Sequence, residues 1–231
     1  MLAASAERIL KERAPGDLVL DVGGWASPFG RADWVLDLMP YETRGLYGPV
    51  LGGEERFTAK TWVQMDICDR DPWPFADRRF DFAICAQTLE DVRDPVGVCR
   101  ELQRVAKSGY IEVPSRLEEQ SHGFQGPWVG WGHHHWLTEL TGDGLEFVFK
   151  HHVIHAQRQA QFPREFWSGL AEEDKVLALW WHDGFAARER VFHDAGGVDG
   201  YLADFVVAHG PSRVPSGPLA RVRRAVGRRR D

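Results

Sequence analysis

Cysteine is scarce in this chain, and its spacing excludes the common cysteine-based sites. Cys68, Cys85 and Cys99 are the three cysteines among 231 residues, and no two of them stand in CxxC spacing. Two fall within elements that the patterns below predict to be buried, where cysteine usually packs as a small apolar residue. We therefore expect no disulfide framework, no cysteine metal site and a reducing compartment.

Long apolar runs are also missing. The first 17 residues, MLAASAERILKERAPGD, set Ile9 and Leu10 among charges, and no later segment approaches the length of a membrane span. These absences predict a cytoplasmic protein without a membrane span. No internal repeat and no linker-like stretch occurs before residue 210, so we expect one domain over residues 1–210.

Net positive charge is confined to the end of the chain. Residues 213–231 carry seven arginines and one aspartate, a net charge of +6, so the preceding 212 residues carry −12. An acidic body argues against nucleic acid as the main partner. Residues 211–231 mix Pro, Ser and Gly with the arginines, which is typical of a solvated or disordered extension that is dispensable for folding. Contact with an anionic partner is the alternative.

The clearest structural pattern lies in residues 79–116. The apolar run Phe80–Cys85 is short and almost unbroken, as in a strand that is buried on both faces of a parallel sheet. A second such run, residues 110–113, precedes Pro114 and predicts the next strand. Parallel strands joined by a crossover belong to an open α/β fold, whose ligands lie beyond the carboxyl ends of the strands.

A helix is predicted between these two strands. Asp94 and Pro95 are typical of a helix N-cap and first helical residue. Apolar residues then follow at helical spacing as far as Val105, and Gly109 is interpreted as the helix end. The unit is therefore strand, helix, strand.

The same stretch resembles one protein family. FDFAICAQTLEDVRDP, followed by a helix ending in RVAKSGYIEVPS, is similar to the region between the fourth and fifth strands of class I S-adenosylmethionine (SAM)-dependent methyltransferases. That region commonly reads FDxVxxxxxLEHxxDP and later RVLKPGGxxxxxVP, with His where this chain has Asp91. The resemblance implies SAM as the cofactor and a Rossmann-like α/β fold with a mostly parallel sheet, helices on both faces and a terminal antiparallel hairpin. Residues 185–192 and 201–208 are the expected hairpin strands.

A glycine-containing turn follows the first predicted strand. Such a turn lets the backbone approach a nucleotide-like ligand closely. Where the family has an acid and then G-x-G-x-G, Asp21 and Gly23 match, but Trp25 and Ser27 occupy the second and third glycine positions. We predict that Asp21, Gly23, Gly24 and Trp25 contribute to the cofactor site, with Gly24 supplying flexibility.

Acidic residues recur at the ends of the next predicted strands. Asp37 ends the second strand, where a carboxylate can accept hydrogen bonds from both hydroxyl groups of a ribose. The alternative is that Asp37 is only a turn residue at the end of the strand. Asp66 and Ile67 end the third and resemble the acid and apolar neighbour that flank the adenine in the family. The backbone of Ala86 and Gln87 follows the fourth strand and completes the predicted cofactor site.

Histidine and tryptophan are concentrated in residues 114–180. In the family, a segment at this place usually covers the active site, so we assign substrate recognition to it. The loop GWGHHHW offers tryptophan faces to an acceptor and imidazoles to the proton that the acceptor loses. We predict Asp91, His133 and His135 as catalytic candidates, since in an extended segment the two histidines share a face.

A metal site is the alternative interpretation of these histidines. His133 and His135 could join His151 and His155, which share one face of a predicted helix. However, no HExxH motif and no cysteine partner accompanies them. The sequence therefore favours no metal and places this loop on the acceptor side.

The function implied by the resemblance is methyl transfer from SAM to a small-molecule acceptor, such as a sugar or another polar metabolite. Because Trp25 occupies the glycine turn, the alternative is a protein with the methyltransferase fold that binds its ligand without catalysing a reaction. A metal-dependent enzyme that uses the histidine-rich segment is the third alternative.

Overall fold

The computed structural model describes residues 1–46 and 51–210. Its helices are α1 (Ala3–Glu12), α2 (Pro95–Val105), α3 (Arg116–Glu119), α4 (Val153–Ala156), α5 (Arg164–Ser168) and α6 (Ala195–His209). Its strands are β1 (Val19–Val22), β2 (Trp34–Asp37), β3 (Trp62–Gln64), β4 (Phe82–Ala86), β5 (Ser108–Pro114), β6 (Trp136–Leu140), β7 (Gly144–Phe149), β8 (Val176–His182) and β9 (Ala186–Glu189). The basic extension predicted at residues 211–231 lies outside the described residues.

Six strands form the main sheet in the order β3-β2-β1-β4-β5-β8. The first five are parallel, and β8 runs antiparallel to β5. The predicted mostly parallel α/β sheet is therefore confirmed. Chain order reverses between β1 and β4, and this is the place where an open α/β sheet leaves a crevice for ligands.

Both faces of the sheet are covered because successive side chains of a strand point to opposite faces. In β1, Leu20 and Val22 belong to one apolar cluster and Val19 to the other. Helix α2 packs into the first cluster, and α1 packs into the second through Ala6 and Ile9. Helices on both faces were predicted and are observed.

Helix α2 begins as its sequence indicates. Asp94 is the N-cap, and its Oδ1 accepts a hydrogen bond from the Gly97 N–H at 2.8 Å. The helix ends at Val105, before Gly109, which lies inside β5. A Cβ at Gly109 would lie 2.4 Å from the Ala83 carbonyl oxygen and 2.6 Å from the Trp181 ring. This glycine therefore serves close sheet packing, and its interpretation as the helix end was wrong.

A second sheet has the order β6-β7-β9, with β7 and β9 parallel. The terminal antiparallel hairpin predicted over residues 185–192 and 201–208 is thus wrong. Only β9 is a strand there, and residues 201–208 lie in α6. A short apolar run such as YLADFVVA does not distinguish strand from helix. Here Asp194 caps α6 by accepting the Gly197 N–H at 2.8 Å.

Arg116 connects α3 to α6 in this second layer. Its side chain is 4% exposed and donates hydrogen bonds to Gln120 Oε1 and to the Tyr201 carbonyl oxygen. The guanidinium carbon also lies 3.8 Å from the centre of the Tyr201 ring and 4.0 Å from that of Phe205. Burial lowers the pKa of Arg116.

Within residues 1–46 and 51–210, no helix combines the length and apolar character that crossing a membrane requires.

Candidate active site

A cleft of about 780 Å³ lies at the carboxyl ends of the parallel strands. Loops after β1, β2, β3 and β4 form one side, and the loop before β6, together with Asp91 from the loop after β4, forms the other. The strand-end wall comprises the lining residues Gly23, Trp25, Asp37, Asp66, Ile67 and Gln87. The histidine wall comprises Asp91, His133, His134 and His135.

Gly23 needs to be glycine for two reasons. Its φ of 75° lies in the left-handed region, and a Cβ there would lie 2.2 Å from Thr88 Oγ1. The ends of β1 and β4 can meet this closely because no side chain stands between them. The predicted role of Gly23 in a close backbone turn therefore has a structural basis.

Asp21 lies beneath this turn and does not line the cleft. Its Oδ2 accepts a hydrogen bond from the Phe29 N–H at 2.8 Å, and a Cβ at Gly24 would lie 2.3 Å from the same oxygen. Burial raises the pKa of Asp21 to about 7. Asp21 and Gly24 therefore shape the turn from below and have no direct access to a ligand in the cleft.

Asp37 joins the turn to the end of β2. Its Oδ2 accepts the Trp25 N–H at 2.9 Å, and its Oδ1 accepts the Met39 N–H at 2.8 Å. Burial raises the pKa of Asp37, while the two N–H donors lower it in part. Each carboxylate oxygen retains acceptor capacity toward the cleft. Asp37 can therefore hold the turn and at the same time accept hydrogen bonds from hydroxyl groups of a ligand.

Trp25 occupies a glycine position of the family pattern without closing the turn. Its indole Nε1 donates hydrogen bonds to the carbonyl oxygen of Thr43 at 2.8 Å and to Thr43 Oγ1 at 2.9 Å. These bonds direct the indole toward the loop after β2. Trp25 is one of the residues that line the strand-end wall.

Asp66 lines the cleft beside Ile67, as the resemblance implies, but it already has a cationic partner. Arg93 donates hydrogen bonds to Asp66 Oδ2 and to the Cys68 carbonyl oxygen. The hydrogen bond from Arg93 to the Asp66 carboxylate lowers the pKa of Asp66. Since Arg93 is 61% exposed, a ligand group that needs the Asp66 carboxylate can displace it at little cost.

Gln87 has a φ of 55°, which is uncommon for a residue with a Cβ. Two hydrogen bonds to the next strand hold it: its N–H donates to the Glu112 carbonyl oxygen at 2.8 Å, and its Nε2 donates to Glu112 Oε1 at 3.1 Å. Such backbone strain clusters at ligand sites. Ala86, the preceding residue, ends β4 and does not line the cleft.

His134 is the most firmly oriented residue of the histidine wall. Its side chain is 7% exposed, and its Nδ1 donates to Glu119 Oε1 at 2.7 Å. The neutral ring then has its lone pair on Nε2, which lies 3.9 Å from Asp91 Oδ1. His133 Nε2 lies 4.0 Å from the same Asp91 oxygen. Three groups therefore converge at one point of the wall.

Glu119 is itself held by a buried cation. Lys150 donates to Glu119 Oε2 and also to the Trp131 carbonyl oxygen at 2.8 Å, and the two charged side chains are 1% and 2% exposed. Gly130 has a φ of 62°, and a Cβ there would lie 2.6 Å from Glu119 Oε2. The glycine lets the histidine loop pass directly over this ion pair.

Glu90 lies behind His135 and lines the cleft. It is 2% exposed, and its Oε2 has no hydrogen-bond partner among the described residues. Burial raises the pKa of Glu90 well above its usual value. The His135 N–H donates to the Glu90 carbonyl oxygen at 2.7 Å, which fixes the start of β6 beside this acid.

Aromatic rings border the histidine wall. Trp131 Nε1 donates to Glu118 Oε1 at 2.6 Å, and Phe124 stacks on Trp167 with ring centres 4.7 Å apart. Burial raises the pKa of Glu118. Glu118 and Trp131 both line the cleft, so a ligand there meets one carboxyl group and one flat apolar face.

Nine of the twelve residues predicted from sequence line the cleft: Gly23, Trp25, Asp37, Asp66, Ile67, Gln87, Asp91, His133 and His135. Sequence reasoning missed His134, Glu119, Glu90 and Arg93. An extended segment was assumed around His134, which turned it away from the cleft, but residues 132–133 form a turn. The adjacent carboxylates Glu118 and Glu119, which follow the strand-end Pro114 by four and five residues, were a signal similar to the one used for Asp37.

Comparison with known proteins gives one family match, to the methyltransferase domain over residues 51–111. The match covers 61 of the 231 residues and bears out the resemblance to methyltransferases over that stretch. No curated protein matches the chain.

Several solved structures are similar. A putative methyltransferase from Bacillus halodurans has 20% identity over 49% of this chain and 51% of its own, with a TM-score of 0.36. A SAM-dependent methyltransferase from Mesorhizobium loti has 18% identity over 52% and 57%, with a TM-score of 0.38. The chain thus spans about half the length of the solved structures it matches. At these values the likenesses carry no argument about substrate.

Proposed function

We propose that this chain, whose residues 51–111 match the methyltransferase-domain family, transfers a methyl group from SAM to a small polar molecule held in the cleft. The observation that carries the proposal is the strand-end wall, where Gly23, Asp37 and Gln87 follow three adjacent parallel strands and face one cavity. A cavity of about 780 Å³ is within the usual range of small-ligand sites.

The strand-end wall supplies the groups that a nucleoside needs. Asp37 can accept hydrogen bonds from two ribose hydroxyls, because each of its oxygens uses one backbone N–H and keeps a further lone pair. The backbone around Gly23 can lie against the ligand without a side chain between them. Ile67 and Trp25 offer apolar surface to a flat base.

The histidine wall faces the acceptor. When bound, SAM supplies a methyl group on a sulfonium that is already activated, so the protein mainly aligns donor and acceptor and accepts one proton. Among the predicted bases, His135 lines the cleft and stands outside the cluster that Asp91 and His133 form with His134. We assign the proton to His135. Asp91 and His133 form a separate cluster with His134.

Calorimetric titration with SAM and with S-adenosylhomocysteine tests the cofactor assignment. Replacing Asp37 with Ala removes up to two charge-assisted hydrogen bonds, each worth about 1.5–3 kcal/mol, so we expect affinity to fall by at least tenfold. Asp71→Ala, at an exposed position outside the cleft, is the matched control and should bind as the parent does. Equal affinities in the two variants would remove Asp37 from the site.

A binding module without turnover is the second candidate, and Trp25 favours it because an indole lines the cleft where the family has glycine. The variant Trp25→Gly separates the two functions. If the parent binds SAM as tightly as this variant, Trp25 is compatible with a working site. If only the variant binds SAM, the cofactor site of the parent is degenerate and the methyltransferase proposal fails.

A further inference from the structure

Three potential ligand atoms of the histidine wall face one another across a small gap. Asp91 Oδ1 lies 4.0 Å from His133 Nε2 and 3.9 Å from His134 Nε2, and all three ligand atoms lie within 4.8 Å of one another. These separations are too long for direct hydrogen bonds. The polar atoms of Asp91, His133 and His134 therefore converge without satisfying each other.

We propose that Asp91, His133 and His134 bind a divalent transition-metal ion on the histidine wall. Two imidazoles and one carboxylate are a ligand set that suits zinc, iron or manganese. An ion equidistant from the three atoms would lie at most about 2.5 Å from each, given their separations, against about 2.0–2.2 Å in a formed site. Asp91 and His133 are 43% and 60% exposed, so their side chains are free to close this difference.

The contacts behind His134 support the assignment. A metal-binding histidine usually donates its other ring N–H to a carboxylate, which fixes the tautomer and directs the lone pair at the metal. His134 does so through Nδ1 to Glu119 at 2.7 Å. Lys150 neutralises Glu119 from the opposite side. The chain therefore has a buried carboxylate, Glu119, which orients one proposed ligand and is itself held by Lys150 outside the site.

The position of the site indicates what the ion would contact. Three protein ligands leave at least one coordination position open, as in catalytic rather than structural zinc sites. That position faces the cleft, since all three ligands line it. This inference rests on the proposed function and narrows the class of acceptor. The acceptor would be a small molecule whose hydroxyl or carboxylate oxygen can enter the coordination sphere of the ion. Hard or borderline divalent ions favour such oxygen ligands.

Zinc titration of untagged protein tests the site. The protein is purified without a polyhistidine tag, dialysed against a chelator, and titrated calorimetrically with Zn²⁺. A separate metal-free sample is titrated with Co²⁺, whose absorption spectrum reports the ligand geometry. We expect one equivalent of Zn²⁺ per chain. Asp91→Ala and His133→Ala should each weaken binding by about 100-fold or more, since loss of an outer contact alone costs 10–100-fold.

His182→Ala is the matched control. His182 is 77% exposed, and its Nδ1 lies 2.8 Å from Asp183 on the far edge of the main sheet, so it reproduces a histidine–aspartate pair away from the cleft. This variant should keep the parent affinity. Absence of stoichiometric Zn²⁺ binding in the parent, or equal affinity in parent, Asp91→Ala and His133→Ala proteins, would overturn the metal assignment. Both tested side chains are exposed, so circular dichroism should confirm that the variants fold.

Titration of the chelator-treated protein with SAM separates this inference from the proposed function. If Zn²⁺ binds at Asp91 and His133 but SAM does not bind, the metal site is supported and the proposal of methyl transfer is contradicted. If SAM binds and Zn²⁺ does not, methyl transfer stands and the metal site falls.

Discussion

On the strand-end wall, backbone groups hold two of the residues that face the cleft. The N–H groups of Trp25 and Met39 hold Asp37, and the carbonyl oxygen of Glu112 holds the main chain of Gln87. On the histidine wall, side chains are positioned by other side chains, from Lys150 through Glu119 to His134. Backbone contacts follow from the strand–turn order of the fold. The series of contacts from Lys150 to His134 depends on ionisable residues that are far apart in sequence and buried together.

The difference predicts where each wall is vulnerable. A wall that rests on backbone geometry is sensitive to the space and conformation of the turn. A wall that rests on a buried ion pair is sensitive to the loss of either charge, because an unpaired charge in the interior is strongly unfavourable.

The largest effect is expected from Lys150→Met on the histidine wall. The variant leaves Glu119, which is 1% exposed, without its cation, and breaking a buried pair costs about 3–5 kcal/mol of unfolding free energy. Urea denaturation measures the change. Lys60→Met, at an exposed position, should leave stability near that of the parent. A loss under about 1 kcal/mol at Lys150 would mean that the histidine wall does not depend on the ion pair.

The next effect concerns Asp21 beneath the strand-end wall, whose pKa of about 7 in the folded protein exceeds its ordinary value of 3.8. Between about pH 4 and pH 7 the unfolded chain loses a proton that the folded chain keeps, so stability falls as pH rises, by roughly 3 kcal/mol. Asp21→Asn should remove this fall, as judged by urea denaturation across the range. Asp71→Asn should keep the parent profile, and parallel profiles for all three proteins would contradict the burial argument.

Gly23→Ala should destabilise the strand-end wall by about 2–3 kcal/mol, because it adds left-handed strain and a clash with Thr88. SAM affinity should fall with it. Gly16→Ala is the control, since a Cβ at Gly16 meets no atom within 4 Å. Thermal unfolding of the two variants makes the comparison, and similar melting temperatures would show that the turn relaxes around a methyl group.

The smallest effect is expected from Arg93→Ala at the cleft rim. The exposed Arg93 side chain should add nothing measurable to the melting temperature. Its removal frees the Asp66 carboxylate, so SAM should bind a few-fold more tightly in calorimetric titration. Arg70→Ala, an exposed neighbour, should bind like the parent. Weaker binding by the Arg93 variant would indicate that Arg93 itself contacts the ligand.

The sequence predicted the central sheet well because its signals are local. The run that became β4, the Asp94 cap of α2 and the acid that ends β2 each follow from residues close in sequence. The C-terminal part was predicted poorly, since the mostly apolar run of residues 201–208 fits a strand or a helix. Its helix is fixed by contacts outside the run, which are the Asp194 cap and the packing of Arg116 against Tyr201 and Phe205.

The site divides in the same way. Asp37 could be assigned from its place after a strand. His134 could not, because its orientation depends on Glu119, 15 residues earlier, and on Lys150, 16 residues later. The turn at residues 132–133 also breaks the alternation on which the choice of His133 and His135 rested. Contacts of that range leave no periodic signal in the sequence.

The path of the chain between β7 and β9 has a consequence for folding. These strands are parallel neighbours in the second sheet, with Leu145 opposite Ala187. The chain that joins them first crosses to the main sheet, where β8 pairs with β5 along seven residues. The pairing of β9 with β7 therefore closes a loop that contains β8, which makes completion of the second sheet a non-local event. We expect a single cooperative unfolding transition, since no cut of the chain would release either sheet with all of its strands.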